Sequence, residues 1–351
     1  VMISASHNPM PDNGIKFFAH GGYKLPDQVE DQIQELLNTP WDRPTGAAVG
    51  EVEYDDDWAE KSYIEHLMTS LGTDLHGLRI AVDCANGGAS FLAPEAFRQA
   101  GADAVVINAA PDGRNINDKA GSTHPEQLQA LTVASEADFG VAYDGDADRC
   151  LAVDRDGNIV DGDKIMGALA VHMRDEGQLA KDTLVVTVMS NLGLILAMQE
   201  AGIKTVQTGV GDRYVLEAML EGGYSLGGEQ SGHIIAKKYA TTGDGILSSL
   251  LLARMVKESG RDLADLTSFI KRLPQTLINV GGVDRSRANT DPVVAEAVAA
   301  AEAVLGNTGR VLLRPSGTEP LVRVMVEAAT QAQADGVASR LADVVKESLS
   351  L

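Results

Sequence analysis

A short loop carries three aspartates at alternate positions, Asp144, Asp146 and Asp148. Carboxylate oxygens are the ligands that Mg²⁺ and Ca²⁺ prefer, and Gly145 lets the backbone turn so that the three side chains can converge. An EF-hand calcium loop is excluded, because its sixth and twelfth positions require Gly and Glu and here hold Arg149 and Arg155. The spacing predicts a divalent-cation site, with a solvated acidic turn as the alternative.

Ser6 is a candidate nucleophile, in the loop Ser-Ala-Ser-His-Asn-Pro at 4–9. A serine at the exit of a strand can attack or carry a phosphoryl group, provided that a cation neutralises the charge that builds up. The adjacent residue is His7. Because neighbouring side chains usually point apart, we do not expect these two to form the nucleophile and base of a hydrolase. A structural turn is the alternative interpretation of this loop.

The segment 227–233 places three polar groups between glycines, namely those of Glu229, Ser231 and His233. A carboxylate accepts hydrogen bonds from sugar hydroxyls, and glycines allow a ligand to approach the backbone closely. This combination predicts a site for a polyhydroxylated ligand. A Gly-rich hairpin with a surface Glu is the alternative.

The segment 314–323 contains five potential donors to an anion, in Arg314, Ser316, Gly317, Thr318 and Arg323. Guanidinium groups, hydroxyls and a free backbone amide are the mixed donors that a phosphate dianion needs. The segment therefore predicts a phosphate-binding loop, and a polar hairpin turn is the alternative.

An α/β fold is predicted to position these loops. Between about residues 78 and 270, apolar β-rich runs alternate with helical patterns. The aspartate loop follows a predicted strand at 139–143, and open α/β sheets bind ligands beyond the carboxyl ends of their strands. From residue 275 the order is instead β-α-β-β-α, a small α+β domain in which Asp291 is the predicted N-cap of a helix.

The first 70 residues are predicted to hold too few elements for a complete domain. We expect only a strand at about 14–19, helices at 27–37 and 57–70, and an acidic linker around 51–57. The patterns together divide the chain at 1–72, 73–175, 176–272 and 273–351, with the first segment an incomplete domain and the other three complete ones.

Composition limits the partners of this chain. Its 351 residues include 29 basic and 50 acidic side chains, and the net charge of −21 opposes binding to nucleic acid or to an anionic membrane. No run approaches the roughly 18 apolar residues of a membrane helix. Two cysteines exclude a disulfide framework. We expect no nucleic-acid partner, no membrane partner and a cytoplasmic location.

The order of the four loops resembles the α-D-phosphohexomutase superfamily over essentially the whole chain. Ala147, Gln230 and the stretch Asp-Cys-Ala-Asn-Gly at 83–87 are most similar to the bacterial branch that acts on glucosamine phosphate. The branch acting on mannose and glucose phosphates more often carries Gly and Met at the first two positions. The resemblance implies three mixed α/β domains, the first incomplete, and a C-terminal α+β domain around a central cleft.

The resemblance also implies a mechanism. Ser6 would carry a phosphoryl group, hand it to glucosamine 6-phosphate to give glucosamine 1,6-bisphosphate, and take back the other phosphate. One Mg²⁺ would be held by the three aspartates and by the phosphate on Ser6, and Arg149 would offset phosphoryl charge. Lys16 is implied in proton transfer, which requires a pKa lowered by burial and nearby cations. His7 and His233 are weaker candidates for that role.

The remaining implied roles concern the sugar phosphate. Arg314, Ser316, Gly317, Thr318 and Arg323 would hold the phosphate that is not reacting, while Glu229 and Ser231 would contact sugar hydroxyls. Gly-Asp-Arg at 211–213 would line the same cleft, with a simple N-cap at Asp212 as the alternative. A homodimer is an expectation at the level of the superfamily.

Other functions stay open on the sequence alone. They are a mutase for mannose or glucose phosphates, an inactive fragment that binds sugar phosphate, and a magnesium phosphatase that uses an aspartate of 144–148 as nucleophile. The separate serine and sugar loops weigh against the phosphatase.

Overall fold

The computed structural model describes residues 1–54, 58–316 and 319–351. Residues 55–57 of the predicted acidic linker, and Gly317 and Thr318 of the predicted phosphate loop, lie outside these ranges. The strands are β1 Met2–Ser4, β2 Gly14–Lys16, β3 Arg79–Asp83, β4 Asp103–Ile107, β5 Phe139–Tyr143, β6 Cys150–Asp154, β7 Ile159–Val160, β8 Thr183–Thr187, β9 Lys204–Thr208, β10 Leu226–Gly228, β11 Ile234–Ala236, β12 Gln275–Gly281, β13 Arg310–Pro315 and β14 Leu321–Glu327.

The helices are α1 Asp27–Leu37, α2 Trp58–Leu71, α3 Ala89–Gln99, α4 Glu126–Ala134, α5 Gly162–Asp175, α6 Leu192–Glu200, α7 Asp212–Gly222, α8 Gly245–Ser259, α9 Leu263–Thr267, α10 Pro292–Leu305 and α11 Gln331–Leu349. Among the described residues, none of these helices has the length and apolar character needed to span a bilayer. The chain forms two compact units. Unit 1 comprises Val1–Met189 and Ala201–Phe269, and unit 2 comprises Ser190–Glu200 and Ile270–Leu351.

The first large sheet of unit 1 has the strand order β4-β3-β5-β6-β7. Strand β3 pairs in parallel with β4 and β5, while β5, β6 and β7 form an antiparallel meander. Every residue of β5 is buried, as expected for the apolar central strand of a sheet covered on both faces. Because β3 and β5 run in parallel, the loops that follow them meet at one edge, where Gly88 N donates to Gly145 O at 2.8 Å.

The second large sheet of unit 1 has the order β11-β10-β8-β9. Strand β8 pairs in parallel with β9 and β10, and β10 turns into antiparallel β11. The turn of this β10–β11 hairpin carries the predicted sugar loop. The hairpin is therefore an element of the sheet, with residues 229–233 at its tip.

Unit 2 has a three-stranded antiparallel sheet in the order β12-β14-β13. Helices α10 and α11 pack with this sheet around a common apolar core. Asp291 caps α10 by accepting from Val293 N and Val294 N, as the sequence predicted. The predicted order β-α-β-β-α is confirmed, and α6 is an addition to this unit that the sequence did not predict.

The predicted alternation of strands and helices in residues 78–270 is confirmed, and several elements differ in detail. The predicted strand at 14–19 is wrong beyond Lys16, because the chain turns back and Ala19 N bonds to Tyr23 O. Strands β6 and β7 and helix α5 were not predicted from the sequence. The predicted four-domain division stays a prediction.

A buried ion pair holds unit 2 together. Glu327 is 0% exposed and accepts from Arg310 Nε at 2.7 Å, from Asn191 Nδ2 at 3.1 Å and from Leu192 N at 2.9 Å. Replacing Glu327 with Gln is expected to lower the free energy of unfolding by about 3 kcal/mol, because the Arg310 charge loses its buried partner. Urea unfolding followed by circular dichroism measures this loss.

The matched control is Asp265→Asn, which breaks the exposed Arg261–Asp265 pair. Water screens that pair, so its loss should leave the urea midpoint nearly unchanged. Equal midpoints for the Glu327 and Asp265 variants would contradict a stabilising role for the buried pair.

Candidate active site

The Ser6 loop follows β1 and is bonded directly to the aspartate loop. Ser6 N donates to Ser4 Oγ at 2.8 Å, and Ser4 Oγ donates to Asp146 Oδ2 at 2.6 Å. Ser6 O accepts from Gly145 N at 3.1 Å. Two loops that are about 140 residues apart in sequence are therefore brought together at Ser6.

Ser6 and His7 do not point apart, contrary to the prediction. The backbone of Ser6 has a φ of 51°, in the left-handed region, and this turn brings Ser6 Oγ to 3.2 Å from His7 Nδ1. Burial lowers the pKa of His7, and the charge of Arg149 lowers it further. A neutral imidazole at this position can accept a proton from the serine hydroxyl.

The three aspartates converge as predicted. Carboxylate oxygens of Asp144, Asp146 and Asp148 lie within 4.8 Å of one another. Each residue has one buried oxygen without a hydrogen-bond partner, namely Asp144 Oδ2, Asp146 Oδ1 and Asp148 Oδ1. Buried carboxylate oxygens without partners carry a large desolvation cost, so the group fits a bound divalent cation.

Electrostatics within this group supports the same conclusion. Burial, together with the charges of Asp148 and Asp146, raises the pKa of Asp144 to about 8. Burial also acts to raise the pKa of Asp146, but hydrogen bonds from Lys16 and Ser4 outweigh it and hold that pKa below its usual value. Near neutral pH Asp144 therefore resists ionisation unless a cation offsets the negative charge around it.

Gly145 is required for a reason other than the predicted turn. A Cβ at this position would lie 2.5 Å from Ser6 O and 2.7 Å from Asn117 Nδ2. Both distances are far below van der Waals contact. The glycine therefore permits the close approach of the aspartate loop to the Ser6 loop.

Lys16 lies in the site, but its pKa is not lowered as proton transfer by this residue requires. Lys16 Nζ is 2.6 Å from Asp146 Oδ2 and 3.7 Å from Asp148 Oδ2. Burial acts to lower the pKa of Lys16, yet the bond to Asp146 and the nearby carboxylate charges raise it overall. The lowering that proton transfer requires is thus not found, and Lys16 is held here as an ammonium group.

The three polar groups of the β10–β11 hairpin differ in burial and in hydrogen bonding. Ser231 Oγ is shielded from solvent and has no hydrogen-bond partner, while Glu229 Oε1 accepts from Gly211 N at 3.2 Å. His233 is 3% exposed, with Nε2 3.5 Å from Asp212 Oδ2 and 3.9 Å from Asp148 Oδ2. His233 is therefore buried near two acidic side chains without a hydrogen bond to either, whereas the hydroxyl of Ser231 and the carboxylate of Glu229 suit a sugar.

Three residues of this site, Lys24, Tyr63 and Asp244, were not singled out from the sequence. Lys24 Nζ lies 2.6 Å from Asp212 Oδ1, and Tyr63 Oη donates to Asp244 Oδ1 at 2.8 Å. The N-cap residue of α7 is Gly211, so the alternative interpretation of Asp212 as a simple N-cap is wrong. A cavity of about 410 Å³ is lined by residues that include Lys16, Lys24, Tyr63, Asp146, Asp148, Asp212 and Asp244.

Unit 2 carries the predicted phosphate loop between β13 and β14. Arg314 and Arg323 are direct cross-strand partners, and like charges in such positions repel unless an anion compensates them. Ser316 is buried, and its Oγ accepts from Glu319 N at 3.3 Å. Arg285, which the sequence did not single out, donates to Ser316 O and Glu319 O and so fixes the described part of the loop.

A second group of metal-ligand residue types lies on α5 and α8, formed by His172, Glu176 and Glu258. Arg254 donates to Glu258 Oε1 at 2.8 Å and to Glu176 Oε1 at 3.3 Å. Its guanidinium group already supplies the positive charge that the carboxylates need. This group is therefore an ion-pair cluster between two helices.

Sequence profiles of one family match four successive segments that together make up most of the chain. The profile described as phosphoglucomutase/phosphomannomutase, alpha/beta/alpha domain I matches residues 1–42, and those of domains II and III match 61–157 and 161–273. The profile of the C-terminal domain of the same family matches 277–344.

Individual named proteins are similar to this chain over its whole length. A phosphoglucosamine mutase of Bifidobacterium longum subsp. infantis is 62% identical, over 100% of this chain and 78% of its own length. A phosphoglucosamine mutase of Kineococcus radiotolerans is 60% identical, over 100% and 79%. Among solved structures, an N-acetylphosphoglucosamine mutase of Aspergillus fumigatus in complex with GlcNAc-6P and magnesium has a TM-score of 0.77 at 21% identity, covering 99% of this chain and 89% of its own. At that identity the likeness concerns the fold.

Proposed function

The chain belongs to the phosphoglucomutase/phosphomannomutase family of the α-D-phosphohexomutase superfamily, and from this membership we propose that it interconverts glucosamine 6-phosphate and glucosamine 1-phosphate. The predicted resemblance to that superfamily is confirmed. The choice of an amino sugar is supported by the name of relatives at about 60% identity, phosphoglucosamine mutase.

One observation carries the chemistry, namely the bond chain from Ser6 N through Ser4 Oγ to Asp146. It holds a hydroxyl nucleophile beside three converging carboxylates, which is the arrangement that phosphoryl transfer requires. We propose that Ser6 carries the phosphoryl group. It would give this group to the sugar phosphate and take the other phosphate back from a bound 1,6-bisphosphate.

Asp144, Asp146 and Asp148 would hold one Mg²⁺, whose oxygen preference fits their three unpartnered oxygens. When bound, this ion would neutralise charge on the transferring phosphoryl group. Arg149 supports the same task from the protein side, since its Nε lies 3.8 Å from Asp148 Oδ1 and 3.9 Å from Asp144 Oδ2.

Two groups are placed to move the proton of the reacting hydroxyls. His7 Nδ1 is within hydrogen-bond distance of Ser6 Oγ, which suits the step in which Ser6 receives the phosphoryl group. Lys16 Nζ contacts Asp146 and Asp148, whose negative charges favour its ammonium form. Neutralisation of these carboxylates would release Lys16 to lose a proton more readily and to serve the sugar hydroxyl.

The other assignments remain proposals with chemical support. Glu229 and Ser231 would bind sugar hydroxyls, His233 would position Asp148 and Asp212, and Arg314, Ser316, Gly317, Thr318 and Arg323 would bind phosphate. A cytoplasmic location is supported by the two free, buried cysteines, Cys84 and Cys150, which suit a reducing compartment. A homodimer stays a prediction.

The test is a comparison of kcat/KM for the 1-phosphates or 6-phosphates of glucosamine, glucose and mannose, with Mg²⁺ and a hexose 1,6-bisphosphate present. We expect glucosamine phosphate to be preferred by at least about 10-fold, the size of discrimination that one sugar substituent supplies. A preference for mannose phosphate would replace the proposal with the mannose/glucose branch. Failure to convert any of the three would indicate an inactive sugar-phosphate binder.

A further inference from the structure

The carbonyl groups on both sides of His7 are held by one side chain that the proposed mechanism does not use. Asn117 Nδ2 lies 2.8 Å from Ser6 O and 2.8 Å from Asn8 O. Because an amide nitrogen carries two hydrogens, it donates one to each carbonyl. Asn117 is only 6% exposed, so water hardly competes for these bonds.

The orientation of this amide is fixed by its acceptors. Rotating the amide by 180° would place Asn117 Oδ1 against two carbonyl oxygens, which repel it. In the orientation observed, Oδ1 is buried without a hydrogen-bond partner. A buried unpaired carbonyl costs free energy, so packing alone does not explain an amide here.

The backbone of Asn117 is itself anchored to the sheet edge. Its φ is 57°, a left-handed conformation that asparagine tolerates better than most residues. Asn117 N donates to Ala85 O at 2.9 Å, and Ala85 N donates to Asp83 Oδ1 at 3.0 Å. The backbone of Asn117 is thus anchored at the end of β3, and its side-chain amide extends to the Ser6 loop.

The Ser6 backbone needs such support because it is strained. A φ of 51° is unfavourable for serine and persists only when neighbouring groups hold it. The carbonyl of Ser6 receives hydrogen bonds from Gly145 N in the aspartate loop and from Asn117 Nδ2. The same atom therefore joins the metal-binding loop and the Asn117 amide.

We propose that Asn117 is a positioning residue, which holds the strained Ser6 backbone so that the Ser6 hydroxyl stays at the aspartate loop. This inference rests on the proposed function, because it assumes that Ser6 carries the phosphoryl group. Asn117 touches no reacting atom. It acts through the carbonyls of Ser6 and Asn8.

The test uses Asn117→Gly, which keeps the left-handed backbone without the amide, and Asn117→Asp, which places a carboxylate oxygen against the two carbonyls. In both variants we expect kcat to fall by about 10- to 100-fold with KM for the sugar phosphate nearly unchanged. The Mg²⁺ concentration for half-maximal activity should rise by about 10-fold, as it does when groups supporting a metal site are removed. Partial unfolding alone would not change that concentration.

The matched control is Asn108→Gly. Asn108 is also left-handed, with a φ of 51°, and its amide bonds to Asp83 in the same region without touching the Ser6 loop. We expect this variant to keep the kcat and Mg²⁺ dependence of the wild type. Equal losses in the Asn108 and Asn117 variants, or misfolding of both Asn117 variants, would overturn the positioning role.

A second measurement separates this inference from the proposed function. Hydrogen-exchange mass spectrometry of residues 4–9 should show about 10-fold faster exchange in Asn117→Gly than in the wild type or Asn108→Gly. Unchanged exchange would overturn the positioning role even if the chain proved to have no mutase activity. If the wild type proved inactive but Asn117→Gly still exchanged faster than the wild type, the positioning role of Asn117 would stand and the proposed function would be contradicted.

Discussion

Replacing Ser6 with alanine is expected to abolish sugar phosphate interconversion, with kcat/KM falling by at least about 10⁴-fold. This is the order of loss seen when a covalent nucleophile is removed. Ser6 Oγ lies 3.2 Å from His7 Nδ1, whereas Ser4 Oγ, the other hydroxyl of the loop, already donates to Asp146 Oδ2. The measurement is a coupled assay with glucosamine phosphate, Mg²⁺ and a hexose 1,6-bisphosphate.

Intact-mass analysis makes the Ser6 prediction specific. Wild-type protein incubated with the bisphosphate and Mg²⁺ should gain one phosphoryl group, and Ser6→Ala should gain none. Ser135→Ala is a suitable control, because Ser135 Oγ only donates to Leu131 O at the end of α4. Thermal unfolding should be similar for the wild type and both variants, which excludes a folding defect.

One result would revive the phosphatase alternative. If Ser6→Ala still released free phosphate from a sugar phosphate in the presence of Mg²⁺, the nucleophile would lie elsewhere, and an aspartate of 144–148 would be the next candidate. The short distances among those carboxylates and the raised pKa of Asp144 argue against this outcome. An ionised and accessible carboxylate is required for attack on phosphorus.

The fold was predictable wherever one sequence period continued long enough. The apolar run of β5 and the capped helix α10 are examples, since the buried run and the Asp-Pro start are local signals. The shift of α6 into unit 2 depends on bonds such as that of Leu192 N to Glu327, 135 residues away. No local pattern encodes a contact of that range.

The candidate site was predictable in residue type more than in geometry. The aspartate spacing predicted a converging group, because alternate positions in one loop constrain the side chains. The Ser6–His7 contact was not predictable, since it depends on a left-handed φ at Ser6 that distant partners maintain. His233 was singled out by its motif, but only the fold shows it buried between Asp148 and Asp212.

Replacing Asp148 with asparagine is expected to weaken Mg²⁺ binding by at least about 100-fold. Removing a group that only hydrogen-bonds to a metal ligand already lowers metal affinity by about 10- to 100-fold, and Asp148 is itself a proposed ligand. The variant keeps the shape of the side chain and removes one of the three charges. Isothermal titration calorimetry with MgCl₂ measures the affinity directly. Asp156→Asn is the matched control, since it makes the same change on an exposed turn after β6 and should keep the wild-type affinity.

The stability of the same variant should respond to Mg²⁺ with a defined sign. Asp148 is one of the charges that raise the pKa of Asp144, so its removal relieves repulsion and should raise the Tm measured in EDTA. Added Mg²⁺ should then stabilise the wild type strongly and the variant little, because a ligand stabilises the folded state in proportion to ln(1 + [L]/Kd). A variant with lower Tm in EDTA and an undiminished response to Mg²⁺ would show that Asp148 is structural, and the metal assignment would then have to exclude it.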